Sequence, residues 1–237
     1  MSIELNKIYN EDCIQTMNKM PDNFIDLTVT SPPYNLGSKH HTGNKIFNSY
    51  NEYNDNLPEN IYQENQIEML DELYRVTKEG GSLMYNHKNR IRNGIQISPY
   101  EWLFKTKWNI KQEVVWFNGS QNFDKIRFYP MTERIYWLSK GTKTNFVNVI
   151  NQHDLIKDNA EGTNKEHKRS FPLSLAQRFI MCFNDSNIIY DPYMGSGTTA
   201  IAAIKENRNY IGSEISKDYC HIIEERINNH KKQLKLL

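Results

Sequence analysis

Short β-rich apolar runs alternate with segments of helical periodicity along most of this chain. Apolar residues three or four positions apart predict amphipathic helices, and compact runs of branched and aromatic residues predict strands. The predicted strands are 3–9, 24–30, 82–85, 110–117, 133–138, 187–190 and 209–212. The predicted helices are 13–20, 61–77, 173–183, 198–206 and 217–236, and we expect the second to stop at Gly80 and Gly81, since glycine commonly ends helices.

Strands separated by helices predict an α/β fold with a mostly parallel sheet of seven strands and helices on both faces. The 237 residues are enough for one such domain and leave little for a second. Two segments are polar, 35–58 and 141–169, and the second shows little period. The first is long for a simple connection, and loops of that length are commonly functional.

The amino-acid composition excludes only a few functional classes of protein. Lys and Arg number 29 against 28 Asp and Glu, so a nucleic-acid partner would require the basic residues to gather on one face. No run approaches the roughly 18 apolar residues of a membrane span, and no signal peptide is evident at the start. Three scattered cysteines favour reduced thiols, so we expect a cytoplasmic protein without a membrane partner.

A glycine-containing loop follows the predicted strand 187–190. It consists of Asp191, Pro192, Tyr193, Met194, Gly195, Ser196, Gly197, Thr198 and Thr199. Glycine permits positive φ and lets a ligand approach the backbone closely, although two glycines after a strand also suit a plain tight turn. No Lys follows the second glycine, which excludes a P-loop.

An acidic residue at the end of a second predicted strand could bind the same ligand as this loop. Glu214 lies roughly 20 positions beyond the glycines, where dinucleotide folds hold a ribose hydroxyl pair with an acid. Asp191 would face a cationic group, such as the amino group of a methionine moiety. Because the loop carries Asp rather than a third glycine, the pattern favours a nucleoside cofactor without phosphates over NAD.

The sequence Ser31-Pro32-Pro33-Tyr34 ends the predicted strand 24–30. Two prolines stiffen the loop, so the Pro32 carbonyl can point at a ligand while Ser31 offers a hydroxyl and Tyr34 a ring face. Two hydrogen-bond acceptors and an aromatic platform are what a flat base with an amino group requires. The alternative is a proline-rich turn with an incidental tyrosine.

Together the two motifs resemble the DNA amino-methyltransferases, which pair a (Ser/Asp/Asn)-Pro-Pro-Tyr catalytic loop with an Asp-Pro-Phe-x-Gly-Ser-Gly-Thr-Thr cofactor loop. Tyr193 replaces the usual Phe here. Since the catalytic loop comes first, the chain is similar to the circularly permuted β class. The resemblance covers most of the chain and implies a Rossmann-like methyltransferase fold, with S-adenosylmethionine as cofactor and double-stranded DNA as substrate.

Further cofactor residues follow from the resemblance alone. Asp12 would bind the adenine amino group and the Cys13 backbone an adenine ring nitrogen, although family members usually have Gly where this chain has Glu11. The element from His167 to Phe171 would line the methionine end of the pocket. The resemblance also implies that a homodimer and a cognate restriction endonuclease are expected partners.

The implied reaction is direct methyl transfer to an exocyclic nitrogen of a flipped base, with no metal and no covalent nucleophile. None of the three cysteines follows a proline, as the cytosine-C5 mechanism would require. Ser at position 31 is more typical of N4-cytosine enzymes and Asp of N6-adenine enzymes, so we favour cytosine. Adenine N6 is the alternative, followed by an RNA amino-methyltransferase and by an inactive cofactor-binding protein.

Sequence recognition and DNA binding are expected outside these motifs. The segments 35–58 and 118–166 are the candidate target-recognition segments. Two basic runs could neutralise phosphates, although charge runs are more often solvated faces. The candidate phosphate-binding residues are Lys88, Arg90, Arg92, Lys168 and Arg169.

Overall fold

A computed structural model describes residues 3–36, 54–119, 123–125, 127–158 and 171–234. The strands are β1 (Lys7–Tyr9), β2 (Ile25–Thr30), β3 (Thr77–His87), β4 (Arg90–Arg92), β5 (Ile95–Ile97), β6 (Asn109–Phe117), β7 (Thr132–Ser139), β8 (Leu155–Lys157), β9 (Ile188–Asp191) and β10 (Asn209–Ser213). The helices are α1 (Cys13–Met17), α2 (Glu59–Val76), α3 (Tyr100–Leu103), α4 (Leu173–Cys182), α5 (Thr198–Lys205) and α6 (Lys217–Leu234). None of these described helices combines the length and apolarity that crossing a bilayer requires.

The main sheet has eight strands in the order β1-β10-β9-β2-β3-β7-β6-β8. β7 runs antiparallel to both β3 and β6, and the remaining described pairs are parallel. β2 and β9 are far apart in sequence but pair directly, with Leu27 opposite Ile189. A strand from the start of the chain therefore lies beside one from its end, which is the permuted arrangement that the motif order predicts.

Alternating side chains of the central strands supply two separate cores. On β3, Leu83 belongs to a cluster with α1, α2 and α3, whereas Met84 belongs to a cluster with α4, α5 and α6. On β7, Tyr136 and Trp137 divide in the same way. Since successive strand residues point to opposite faces, this division confirms a sheet covered by helices on both sides.

The main sheet has eight described strands where the sequence predicts seven. β8 lies in the polar segment 141–169 and joins the sheet edge beside β6. Only Ile156 of its three residues is buried, so no apolar run marks it. The hairpin of β4 and β5 and the short helix α3 were also not predicted.

The predicted end of α2 was also wrong. The helix ends at Val76, and Thr77 already begins β3, so Gly80 and Gly81 lie within the strand. The register between β2 and β3 shifts here, because Ile25 pairs with Thr77 but Leu27 pairs with Ser82. Gly80 has a φ of +80°, which lets the backbone absorb this irregularity.

The carboxyl ends of β2, β3, β9 and β10 meet at one edge of the sheet because these strands are parallel. The turn between β6 and β7 reaches the same edge, since Phe117 pairs with Thr132 and His87 with Arg134. Open α/β sheets bind ligands at this edge. The loop after β2 and the loop after β9 are therefore neighbours there.

Candidate active site

A buried carboxylate joins the two loops. Asp191 accepts hydrogen bonds from the Thr30 hydroxyl (2.7 Å), the Thr199 hydroxyl (2.7 Å) and the Tyr193 backbone N–H (3.0 Å). Thr30 precedes the catalytic loop, and Thr199 lies in the first turn of α5. The three donors fix the loops relative to each other. A contact between Asp191 and the methionine amino group of a cofactor stays a prediction.

Burial raises the pKa of Asp191 to about 6, although the hydrogen bonds from Thr199, Thr30 and the Tyr193 backbone oppose that rise. The residue is only 2% exposed. Removing a carboxylate from water favours its neutral form, and donors that bind the ionised form recover part of that cost.

The glycine turn has the backbone conformation that the sequence predicts. Gly195 and Gly197 have φ values of +53° and +85°. Glu214 binds the turn through one carboxylate oxygen, which accepts from the Gly195 N–H at 2.8 Å, while the other accepts from the Ser216 N–H. On the far side, Arg226 of α6 donates to the Ser196 carbonyl and hydroxyl. The loop is thus held in shape by neighbouring elements.

The end of β1 adds residues from the start of the chain to the same place. Asp12 caps α1 by accepting from the Ile14 N–H, and the Asn10 amide donates to the backbone oxygens of Glu214 and Ile215. The Cys13 thiol contacts Tyr193, and burial raises its pKa to about 12. The structure therefore brings Asp12, Cys13, Tyr193 and Glu214 to the same strand ends, and their contacts with a cofactor stay a prediction.

The remaining cofactor candidates have different surroundings. Phe171 is buried in the core cluster that contains α4, α5 and α6, next to the helix-start residue Pro172. Pro192, Ser196 and Thr198 are buried in the loop and at the start of α5. His167 lies outside the described residues.

The catalytic loop contacts a polar cluster that the sequence did not reveal. The Ser31 and Tyr34 hydroxyls are 2.7 Å apart, and the Tyr34 hydroxyl donates to Glu133 at 3.0 Å. The Asn86 amide lies 2.9 Å from the Tyr34 hydroxyl and 3.2 Å from Glu133. Burial, and then the charge of Glu133, raises the pKa of Tyr34 well above its ordinary value. This tyrosine is neutral at physiological pH.

A second set of contacts holds the exit of the loop. The Tyr62 hydroxyl of α2 donates to the Pro33 carbonyl and also lies 2.7 Å from His87 Nε2. Burial lowers the pKa of His87 to about 3, so its imidazole is neutral. The side chain of Asn35, which has a φ of +56°, bonds both backbone groups of Leu57. These contacts hold Asn35 beside Leu57, and residues 37–53 lie outside the described residues.

The residues that sequence analysis missed share one property. Asn86, His87 and Glu133 lie at strand ends that face the catalytic loop, and Tyr62 lies on α2. Each sits in an apolar or mixed stretch, where a single polar residue has no distinctive spacing. A polar residue at the carboxyl end of a predicted strand was the available signal, and it applies to Asn86 and His87.

The predicted phosphate-binding residues divide into three groups. Arg90 is 3% exposed and its guanidinium binds both Glu59 oxygens, so the structure removes it from the phosphate-binding set. Arg92 contacts Glu59 and donates to the Asn35 and Leu57 carbonyls, while Lys88 pairs with Glu133 at 2.9 Å and keeps a partly exposed side chain. Lys168 and Arg169 lie outside the described residues.

Comparisons with known proteins identify the family. The family model described as DNA methylase, for N6 and N4 methyltransferases, matches residues 25–225. The orphan methyltransferase M.BamHII of Bacillus amyloliquefaciens is 30% identical over 87% of this chain and 89% of its own length. The type II methyltransferase M.ScaI of Streptomyces caespitosus is 26% identical over 96% of this chain and 83% of its own.

Solved structures share the fold. The PvuII DNA methyltransferase, which is cytosine-N4-specific, superposes with a TM-score of 0.77 at 19% identity, over 98% of this chain and 93% of its own. A protein of Thermus thermophilus, named as a DNA modification methylase and solved with S-adenosyl-L-methionine, gives a TM-score of 0.69 at 19% identity. That match covers 95% of this chain and 94% of the Thermus protein.

We expect Gly197→Ala to destabilise the protein by about 2–3 kcal/mol, because left-handed φ costs an L-residue roughly 1–2 kcal/mol and the new Cβ meets a packed side chain. That Cβ would lie 2.8 Å from Ile223 Cγ2. Gly94→Ala is the matched control, since Gly94 has a φ of +77° with no atom within 4 Å of the added Cβ. Urea unfolding should show the larger loss for Gly197→Ala, and equal losses would contradict the contact with Ile223.

Asp191 should make stability depend on pH. Its folded-state pKa of about 6 lies above the ordinary value of 3.8, so the native state binds this proton more tightly and the stabilisation is lost as pH rises through 6. Between pH 5 and 7.5 the unfolding free energy of wild type should fall relative to Asp191→Asn by about 1 kcal/mol. Urea titrations of both proteins measure this difference, and a constant difference would rule out the raised pKa.

Proposed function

The chain belongs to the N6/N4 DNA methylase family, and from that premise we propose that it transfers a methyl group from S-adenosylmethionine to the exocyclic amino group of a base in duplex DNA. Cytosine N4 is the favoured acceptor. The observation that carries the proposal is the bridge through Asp191, because it sets the Ser31–Tyr34 loop beside the glycine turn. A cofactor bound at the glycine turn and a base bound at the Ser31–Tyr34 loop therefore lie next to each other.

The cofactor side of the site fits a nucleoside with an amino-acid tail. At Gly195 the turn carries no side chain that would crowd a ligand, and carboxylates lie nearby at Asp12 and Glu214. Glu214 would hold the ribose hydroxyls and Asp12 the adenine amino group. The remaining contacts are assigned to Cys13, His167, Phe171, Asp191, Pro192, Tyr193, Ser196 and Thr198. When bound, S-adenosylmethionine supplies an electrophilic methyl group on a sulfonium centre.

The acceptor side addresses a chemical difficulty of the substrate. The lone pair of an aromatic amine is delocalised into the ring, so the nitrogen is a poor nucleophile. Hydrogen bonds from both N–H atoms, to the Ser31 hydroxyl and the Pro32 carbonyl, bias that nitrogen towards a pyramidal geometry and localise the lone pair. Tyr34 stacks on the extruded base, and alignment of the reactants supplies much of the rate enhancement.

The choice of cytosine over adenine follows from Ser31. Ser at the first position of this loop is the residue typical of N4-cytosine enzymes within the family. The PvuII enzyme named cytosine-N4-specific has the same fold, but 19% identity makes it evidence of fold alone. Adenine N6 remains the alternative acceptor for the same residues and the same mechanism. The family match favours DNA over RNA as substrate.

The turn between β6 and β7 supports a role in DNA recognition. It begins at Asn118, whose side chain donates to Glu133, so it is continuous with the catalytic cluster. Beyond it the chain exposes aromatic side chains: Phe123 at 83%, Phe128 at 99% and Tyr129 at 57%. Lys125 adds positive charge nearby, whereas the Arg127 guanidinium pairs with Asp124 at 2.7 Å. Aromatic rings stack on unpaired bases and cations contact phosphates, so this aromatic turn has the chemistry of a duplex-opening element.

Duplex DNA is thus the partner we assign to this protein. M.ScaI and M.BglII carry the name type II methyltransferase, whereas M.BamHII is named an orphan. Relatives of both kinds occur, so a cognate restriction endonuclease stays a prediction, and so does a homodimer.

Mass spectrometry of nucleosides tests the reaction. Duplex DNA incubated with the protein and methyl-labelled S-adenosylmethionine should yield labelled N4-methylcytosine. Ser31→Ala should lower the rate, since one acceptor for the amine is lost, and Tyr34→Ala and Asp191→Ala should nearly abolish it. Label in N6-methyladenine would retain the mechanism and overturn the base, whereas wild-type rates in the Tyr34 and Asp191 variants would refute the assigned site.

Phe128→Ala should weaken binding to duplex DNA by about tenfold, because aromatic stacking on a base contributes roughly 1–3 kcal/mol. The unfolding temperature should not change, since the ring is 99% exposed. Phe104→Ala is the control, because Phe104 is also highly exposed but lies beyond α3. Fluorescence anisotropy with a labelled duplex measures both affinities. Equal affinities for the two variants would exclude a role for the aromatic turn.

A further inference from the structure

Glu133 is a carboxylate buried beneath the catalytic loop, and its oxygens are fully used. Only 7% of the residue is exposed. One oxygen receives Lys88 at 2.9 Å and the Asn118 amide at 3.1 Å. The other receives the Tyr34 hydroxyl at 3.0 Å and the Asn86 amide at 3.2 Å. An ionised carboxylate can only accept hydrogen bonds, so all four neighbours must present a hydrogen to it.

This requirement fixes the direction of the hydrogen bonds around Tyr34. Its single hydroxyl hydrogen is directed at Glu133, so its oxygen can only accept from its other neighbours. The 2.7 Å bond between Ser31 and Tyr34 must then carry the hydrogen of Ser31. A chain therefore runs from Ser31 to Tyr34 to Glu133, with every hydroxyl hydrogen pointing at the carboxylate.

Asn86 enforces the same direction. Its amide nitrogen lies near both the Tyr34 oxygen and Glu133, and turning the amide over would set its carbonyl against the carboxylate. The side chain is 4% exposed, and its oxygen has no hydrogen-bond partner among the described residues. The nitrogen thus donates to the Tyr34 oxygen and also lies 3.4 Å from the Ser31 oxygen, so it meets both hydroxyls as a donor while the Tyr34 hydrogen stays on Glu133.

We propose that Glu133 is a positioning residue that acts through the Tyr34 hydroxyl to keep the hydrogen of Ser31 turned away from the substrate. The Ser31 oxygen then offers its lone pairs to the incoming amine, which is what an acceptor for an N–H requires. The inference rests on the proposed methyl transfer and adds a source for the orientation of Ser31. Tyr34 consequently has two roles, a ring that stacks on the base and a hydroxyl that transmits the orientation.

Two single substitutions interrupt this chain of hydrogen bonds at different points. In Glu133→Gln the amide oxygen keeps Lys88 and Asn118, so its NH2 takes the place of the oxygen that accepts from Tyr34 and Asn86. The Tyr34 hydrogen then loses its acceptor on residue 133, and the hydrogen of Ser31 is no longer kept away from the substrate. Tyr34→Phe keeps the ring and keeps Glu133 with its three other donors, so it tests the proposal even if Glu133→Gln fails to fold. We expect each to lower kcat at least tenfold, with KM for S-adenosylmethionine within twofold of wild type.

Matched controls separate orientation from general damage. Glu113→Gln alters a carboxylate on β6 that pairs with Arg134 and Tyr100 and takes no part in the chain of hydrogen bonds from Ser31 to Glu133. Tyr85→Phe removes a buried hydroxyl that binds Gln66. Both controls should keep kcat within about twofold of wild type, and melting temperatures report the folding of every variant.

The double variant Tyr34→Phe/Glu133→Gln provides the decisive comparison. If both residues act through one chain, the second substitution adds no further loss once the first is present. Losses that multiply, or single variants with wild-type kcat, would overturn the proposal. A wild-type protein that transfers no methyl group to DNA would instead refute the proposed function, so the two failures are distinguishable.

Discussion

The structure depends on one buried charge. Asp191 is removed from water at the centre of the sheet edge, and such a group is tolerated only when hydrogen bonds compensate its lost hydration. The compensating donors come from the strand before the catalytic loop, from the start of α5 and from the loop itself. Satisfying the carboxylate therefore requires that two segments from opposite ends of the chain meet. The hydrogen bonds that Asp191 requires therefore fix the relative positions of the two loops at the candidate active site.

Glu133 is a second buried carboxylate that requires hydrogen-bond donors, and it lies beneath the Ser31–Tyr34 loop. A carboxylate that needs four donors imposes a direction on every hydroxyl and amide that serves it. The pKa of Tyr34 is raised by burial and by this charge, which keeps its hydroxyl protonated and able to take part in the chain. Polar groups here orient one another, and in the reaction that we propose this orientation prepares an acceptor for an amine.

The chain has 29 basic and 28 acidic residues, and some of its basic side chains pair with acidic ones inside the fold. Arg90 and Arg92 bind Glu59 and hold the hairpin of β4 and β5 against α2 and the exit of the catalytic loop. Both arginines therefore stabilise the fold around the site. The DNA contact that we propose lies instead on the exposed aromatic turn between β6 and β7, which also carries Lys125.

The sequence by itself determined the alternation of strands and helices, the two loops at strand ends and the nature of the chemistry, because these depend on local period and on residues adjacent in the chain. It missed β8, the end of α2 and the cluster of Asn86, Glu133 and Tyr62. Only the tertiary structure decided these, since an edge strand, a register shift and a polar cluster arise from pairing between distant segments. The same reason explains Arg90, whose charge was visible in the sequence but whose partner Glu59 was not.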